Sequence, residues 1–168
     1  MTTDYATDLA PLHRDLRELG ATVAVAESLT GGMICSALTA TPGASLTVRG
    51  AVVVYATDLK STLAGVPADL VAERGAVDPD VALELARGVR RRLDATFGLG
   101  VTGVAGPDPQ DGRPVGTVFL AIAGPGGETV AERTFHGDRG AVREAAVAAM
   151  LDVLKRECTA AITSLRSL

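Results

Sequence analysis

Ala21-Thr22-Val23-Ala24-Val25-Ala26-Glu27-Ser28-Leu29-Thr30-Gly31-Gly32 decides how the rest of this chain is read. Residues 21–26 form a short, almost unbroken apolar run. Such a run suits a strand buried on both faces, as in a parallel sheet covered by helices. A turn at Ser28 follows, and Met33, Ile34, Ala37 and Leu38 then recur at helical spacing until Thr41-Pro42-Gly43 breaks the pattern. A buried strand leading through a polar turn into a helix is the repeating unit of an α/β sheet.

The same pattern recurs on both sides. Leu9, Leu12, Leu16 and Leu19 predict an amphipathic helix over residues 6–19, ended by Gly20. Val52-Val53-Val54-Tyr55 marks a second strand within 46–55, with Tyr55 at its end. Residues 58–64 read as a helix stopped by Gly65, and Pro67 starts another that Gly75 ends. Asp78-Pro79 is a helix start with Asp as N-cap and Pro in the first turn, and Val81, Leu85, Val89 and Leu93 mark the buried face. Residues 97–102 form a third strand. Strands over 116–123 and 128–135 flank Gly124-Pro125-Gly126-Gly127, an antiparallel hairpin. Asp138 caps a last helix with Val142, Ala146, Ala149, Val153 and Leu154 inward. The expected fold is a three-layer α/β/α domain with a five-stranded, mixed, mostly parallel sheet, one domain over 1–168.

Composition narrows the function. With 47% hydrophobic and 21% charged residues the 168-residue chain is globular, and with 3% aromatics and no Trp its core is built from Ala, Val, Leu and Ile. A net charge of −4 argues against sequence-independent nucleic-acid binding, which needs clustered positive charge. Cys35 and Cys158 lie far apart inside helical patterns, so reduced thiols in a cytoplasmic protein are expected. Residues 1–19 lack the apolar segment of a signal peptide, and no apolar run reaches the ~18–20 residues of a membrane span.

Ligands of open α/β sheets bind where strands end and helices begin, and three such places carry unusual residues. At the first, Ser28 sits at a strand end. Thr30, Gly31 and Gly32 bring backbone and helix-start N–H groups toward an anion or oxyanion. The alternative is that Ser28 or Thr30 simply caps the helix. At the second, Tyr55 and Lys60 are spaced to face one cleft. A buried, neutral lysine accepts a serine proton, so Ser28 and Lys60 would need no histidine. The alternative is a solvated Lys60 paired with Asp58. The third is the long loop from Thr102 to Gly116, with Gly103 and Gly106 for backbone approach and Arg113 as an anion contact. Arg139, at the start of the last helix, suits a phosphate or is simply solvated. His13 lies in an exposed helical pattern and His136 stands apart, so neither a Ser-His triad nor a histidine metal site is expected. Cys35 reads as core.

The motif Ala26-Glu27-Ser28-Leu29-Thr30-Gly31-Gly32 is followed in order by Tyr55 with Lys60. Then come Gly103-Val104-Ala105-Gly106-Pro107 with Pro114-Val115-Gly116-Thr117-Val118, and Gly137-Asp138-Arg139 with Val142-Arg143. Together they resemble the CinA C-terminal domain family, also called PncC or nicotinamide mononucleotide deamidase, from about Asp8 to Cys158. The resemblance implies hydrolysis of the carboxamide of nicotinamide mononucleotide to nicotinate mononucleotide and ammonia, without metal or cofactor. It implies Ser28 as nucleophile, Lys60 as its base and Tyr55 as an assisting hydroxyl that bridges the two. Thr30, Gly31, Gly32, Gly103, Gly106 and Arg139 would hold the substrate. The expected partner is the mononucleotide, with no nucleic acid and no membrane, and the Ala-rich helical surface fits a homo-oligomer. Leu29 stands where the family often has Cys, leaving Ser28 as the only nucleophile of the motif. Asp108-Pro109-Gln110-Asp111-Gly112 replaces a run of glycines. Many relatives carry a further N-terminal domain, for which this length leaves no room. The rival readings are a non-catalytic nucleotide-binding domain of a competence or DNA-damage protein and a purely structural oligomerisation domain.

Overall fold

β1 (Val23–Glu27) is buried along its whole length, and the sheet grows outward from it. In the computed structural model, which describes residues 9–167, β1 lies between β2 (Val48–Val53) and β3 (Phe97–Gly103) and is parallel to both. β4 (Thr117–Gly124) and β5 (Gly127–Thr134) complete the order β2-β1-β3-β4-β5. Both β3–β4 and β4–β5 are antiparallel, so β4 alone runs against the other four strands. The expected hairpin is present, with Gly124 paired to Gly127 across Pro125-Gly126.

The period-2 alternation of β1 sorts the two faces. Val23 and Val25 join Leu99, Val101 and Leu120 in a core closed by α1 (Ala10–Glu18), α2 (Met33–Thr39) and α6 (Arg139–Arg166). Ala24 and Ala26 face the opposite layer of α3 (Thr57–Ala64), α4 (Ala68–Arg74) and α5 (Pro79–Arg92), with Val81, Leu85 and Val89 against them. The domain is thus a three-layer α/β/α sandwich. Asp78 caps α5 by accepting from the Asp80 N–H at 2.8 Å, and Asp138 caps α6 by accepting from Ala141 N–H at 2.9 Å. Residues 6–8 of the helix predicted over 6–19 lie outside the described residues.

Small residues let α5 approach the sheet. Gly98 and Gly100 point toward it, and a Cβ on Gly100 would sit 2.2 Å from the Ala82 carbonyl oxygen. Gly98 has the same relation to Ala86, at 2.0 Å. Helix backbone rests almost directly on strand backbone there, which the Ala- and Gly-rich composition permits.

Two expectations are corrected. β2 stops at Val53, so Tyr55 belongs to the connection into α3 and does not end a strand. His13 is fully buried rather than exposed. Its ring bonds Thr47 Oγ1 at 2.7 Å through Nδ1 and the Leu38 carbonyl at 3.0 Å through Nε2, tying α1 to α2 and to the turn before β2. The leucine periodicity of α1 located its apolar stripe, but the polar partners that admit a histidine beside it come from distant segments.

Gly100→Ala should lower stability by about 1–3 kcal/mol, because neither backbone can yield. Gly126→Ala, with nothing within 4 Å of the added methyl, should leave the urea midpoint unchanged. Burial holds the His13 imidazole below its ordinary value, outweighing the Leu38 bond that raises it. The unfolded chain takes up this proton near pH ~6.5 while the fold resists it, so stability should fall as pH drops below that value. In His13→Gln that part of the acid-side decline should disappear from urea titrations run at successive pH values.

Candidate active site

The chain leaves β1 at Glu27, the carboxylate of which turns back onto the start of α2. It accepts from the N–H groups of Gly32 at 2.9 Å, Ile34 at 3.1 Å and Cys35 at 2.8 Å. A fully buried carboxylate is thereby satisfied, and the positive end of the helix is occupied. This revises the expectation that these N–H groups are open to a ligand. Gly31 N–H is also taken, by Ser28 O at 3.1 Å, and Met33 N–H by Thr30 O at 3.2 Å. Gly31 and Gly32 serve the turn through their positive φ values of 60° and 98°. Thr30 is buried, and neither it nor the two glycines line the cleft described next.

That cleft has a volume of about 110 Å³ and lies at the C-terminal ends of β1 and β3. Ser28, Lys60, Tyr55, Arg139 and the segment from Thr102 to Gly106 line it, so Gly103 and Gly106 do reach it. Ser28 is held by its N–H, which donates to Val101 O at 3.1 Å and extends the sheet ladder one residue beyond β1.

Lys60 enters from the first turns of α3 and is 1% exposed. Its Nζ lies 3.2 Å from Ser28 Oγ and donates to the Val54 carbonyl at 2.9 Å. Among the described residues it forms no ion pair, so the expected alternative of a solvated Lys60 paired with Asp58 does not hold. Burial pushes the amine below the ordinary lysine range; Asp111 and Asp58, acting at longer range, oppose this in part. An amine placed this way is a base within hydrogen-bond reach of a hydroxyl.

Tyr55 is not between them. Its side chain is exposed, and its hydroxyl accepts from the Arg139 guanidinium, which also donates to Gly106 O at 2.6 Å. Tyr55, Arg139 and Gly106 thus form one rim of the cleft, and no bridging hydroxyl is needed where Lys60 meets Ser28 directly. Arg113 stacks over the Phe119 ring at 5.2 Å and takes no part in the cleft. Cys35 and Cys158 are both free thiols.

Two residues given no role from sequence hold the site together. Asp111 accepts from Ala76 N–H at 2.6 Å and Val77 N–H at 3.1 Å, fastening the long loop to the cleft floor. Arg143 donates through Nε to Leu29 O at 2.9 Å and through Nη2 to Thr30 O at 3.2 Å. The sequence signals for Arg143 were its place beside Val142 in the last of the ordered motifs and its position four residues after Arg139, on the same side of a helix.

A family model described as the CinA C-terminal domain matches residues 7–158. The chain is 48% identical over 141 residues to a CinA-like protein of Frankia casuarinae, covering 84% of this chain and 33% of that protein. It is 49% identical over 138 residues to a CinA-like protein of Acidobacterium capsulatum, covering 82% and 33%. It therefore spans about a third of the length of these relatives. The crystal structure of the competence/damage inducible protein CihA from Agrobacterium tumefaciens superposes with a TM-score of 0.85 at 35% identity, covering 92% of this chain and 95% of that one. A CinA superfamily protein from Klebsiella pneumoniae gives 0.88 at 27% identity, covering 94% and 99%.

Glu27→Gln should cost about 2–4 kcal/mol, read as a lowered urea midpoint, because an amide group then faces N–H donors that the carboxylate now accepts from.

Proposed function

The chain belongs to the CinA C-terminal domain family, and on that premise we propose that its cleft hydrolyses the carboxamide of nicotinamide mononucleotide, giving nicotinate mononucleotide and ammonia. The observation that carries this reading is the 3.2 Å approach of a buried, ion-pair-free lysine amine to a serine hydroxyl at the end of a central strand. Keeping such an amine out of water is unfavourable unless its lone pair is used.

Lys60, in its neutral form, takes the Ser28 proton as Oγ attacks the amide carbon. Collapse of the tetrahedral intermediate breaks the C–N bond as the Lys60 ammonium gives its proton to the amide nitrogen, which leaves as ammonia. Water, deprotonated by the same amine, then cleaves the acyl ester and restores Ser28. The Val54 carbonyl orients Nζ throughout, since a neutral amine keeps an N–H for it while its lone pair faces Oγ. Tyr55 acts at the rim with Arg139 and not as a proton bridge. The guanidinium there has five donors, of which Gly106 O and Tyr55 OH do not exhaust the supply, so it is the group of choice for the substrate phosphate.

Release of ammonia from nicotinamide mononucleotide by the purified chain is the direct test. Binding by calorimetry with no ammonia formed would favour the non-catalytic alternative. Ser28→Ala should lower kcat by about 10³-fold or more. Lys60→Arg should do the same, since a guanidinium holds its proton at every accessible pH; an active variant would remove Lys60 from the mechanism. In the unaltered protein kcat/KM should fall as pH drops through the depressed Lys60 value and level off above it, because only the neutral amine is a base.

A further inference from the structure

β3 carries its backbone past the end of β1, and the sheet ladder opens there. Successive residues of a strand turn their backbone groups to alternate neighbours. Val101 faces β1, its carbonyl accepting from Ser28 N–H at 3.1 Å. Val104 faces β4, its N–H donating to Thr117 O at 2.8 Å and its carbonyl accepting from Gly116 N–H at 2.8 Å. Gly103 shares the parity of Val101, so its N–H and its carbonyl both point to the β1 side. If β1 ran on, Gly103 N–H would donate to Ser28 O, and Gly103 O would accept from Thr30 N–H. Neither bond forms, and Ser28 O accepts instead from Gly31 N–H at 3.1 Å.

The serine turn is the reason. Leu29 enters the core beside α1, α2 and α6, which takes the chain out of the sheet on one face. Ser28 shares the parity of Ala24 and Ala26 and faces the other layer, where α3 brings Lys60 to its Oγ. Gly103 lines the cleft and, with no side chain, presents bare backbone to it. One extended residue thus offers a donor and an acceptor side by side in the plane of the sheet, with the Ser28 hydroxyl to one face. A primary carboxamide carries the complementary acceptor and donor side by side. Seated where the next rung of the ladder would be, it lies edge-on to β3 and turns the face of its carbon toward Oγ.

We propose that Gly103 is the residue that seats the scissile carboxamide, its N–H donating to the amide oxygen and its carbonyl accepting from the amide NH2. This rests on the amidohydrolase reading and deepens it, since it states which part of the substrate is read and by what. As Oγ adds to the carbon, the oxygen becomes negative and its bond to Gly103 N–H strengthens, so the same donor serves the transition state. The product acid offers a second acceptor where the amide had a donor. That carboxylate faces the Gly103 carbonyl unpaired, which rejects the product and favours its release.

Two experiments test this. Ser28→Ala, titrated by calorimetry, should bind nicotinamide mononucleotide at least about 10-fold more tightly than nicotinate mononucleotide. Equal or tighter binding of the acid would overturn the specificity role. In the second, a semisynthetic chain carries glycolic acid in place of Gly103, so that an ester replaces one peptide group and only its N–H is lost. Its kcat/KM for ammonia release should fall by about 10-fold or more, with the pH midpoint set by Lys60 unmoved. An aryl fluorophosphonate supplies a probe independent of the mononucleotide: Ser28 Oγ displaces fluoride from phosphorus as its proton passes to Lys60, and the phosphoryl oxygen takes the Gly103 N–H. Labelling of the ester chain, followed by mass spectrometry, should slow by a similar factor. Unchanged turnover and unchanged labelling would overturn the donor role. If the unaltered chain is labelled at Ser28 yet neither binds nor hydrolyses the mononucleotide, only the substrate reading falls, and the labelling rates still decide the donor. A chain neither labelled nor active would overturn both readings. Should the ester lower the urea midpoint, the calorimetric comparison, made on an all-peptide backbone, decides alone.

Discussion

The cleft is organised around a lysine amine that the fold keeps from water without giving it a carboxylate. Lys60 is among the largest fully buried side chains, and among the described residues its hydrogen-bond partners are one hydroxyl and one backbone carbonyl. A charged ammonium in that position lacks the hydration it has in solvent, so the surroundings favour the neutral form. Everything near it serves this constraint. β1 delivers Ser28 from one side, the turn after β2 delivers the Val54 carbonyl from another, and α3 supplies the lysine itself.

A second constraint keeps the serine turn rigid. Glu27, the last residue of a strand with no exposed face, has no route to solvent and must be satisfied inside. The start of α2 satisfies it with three N–H groups. The same contact anchors the turn from one end while Arg143 anchors its carbonyls from outside. Between the two, Ser28 lies at a point where neither the strand nor the helix can relax independently. The long loop after β3 is likewise tied by Asp111 to Ala76 and Val77, which closes the floor of the cleft.

The layer structure was legible wherever the controlling forces are local. The apolar run of β1, the Asp78-Pro79 start of α5, the Gly-rich hairpin and the Asp138 cap each express their preference within a few residues. Element ends were less legible: β2 was expected to reach Tyr55 but stops at Val53, because pairing with β1 ends where β1 itself ends. His13 shows the same limit. Helical spacing identifies which side of α1 is apolar, but not that Thr47 and Leu38 would meet a ring nitrogen each.

Sequence by itself determined the family of the chain, the order of strands and helices, and the identity of Ser28, Lys60 and Arg139 as residues that end up around one cleft. These follow from hydrophobic period, turn chemistry and an ordered set of motifs. Only the tertiary structure decided what each polar group touches. Lys60 meets Ser28 directly, Tyr55 pairs with Arg139, Glu27 closes the helix start, and Arg143 grips the serine turn from 114 residues away along the chain. The physical reason is that hydrophobic patterning repeats along the chain and can be read there. A hydrogen bond across the fold depends on ångström-scale approach of groups whose separation in sequence carries no information about it.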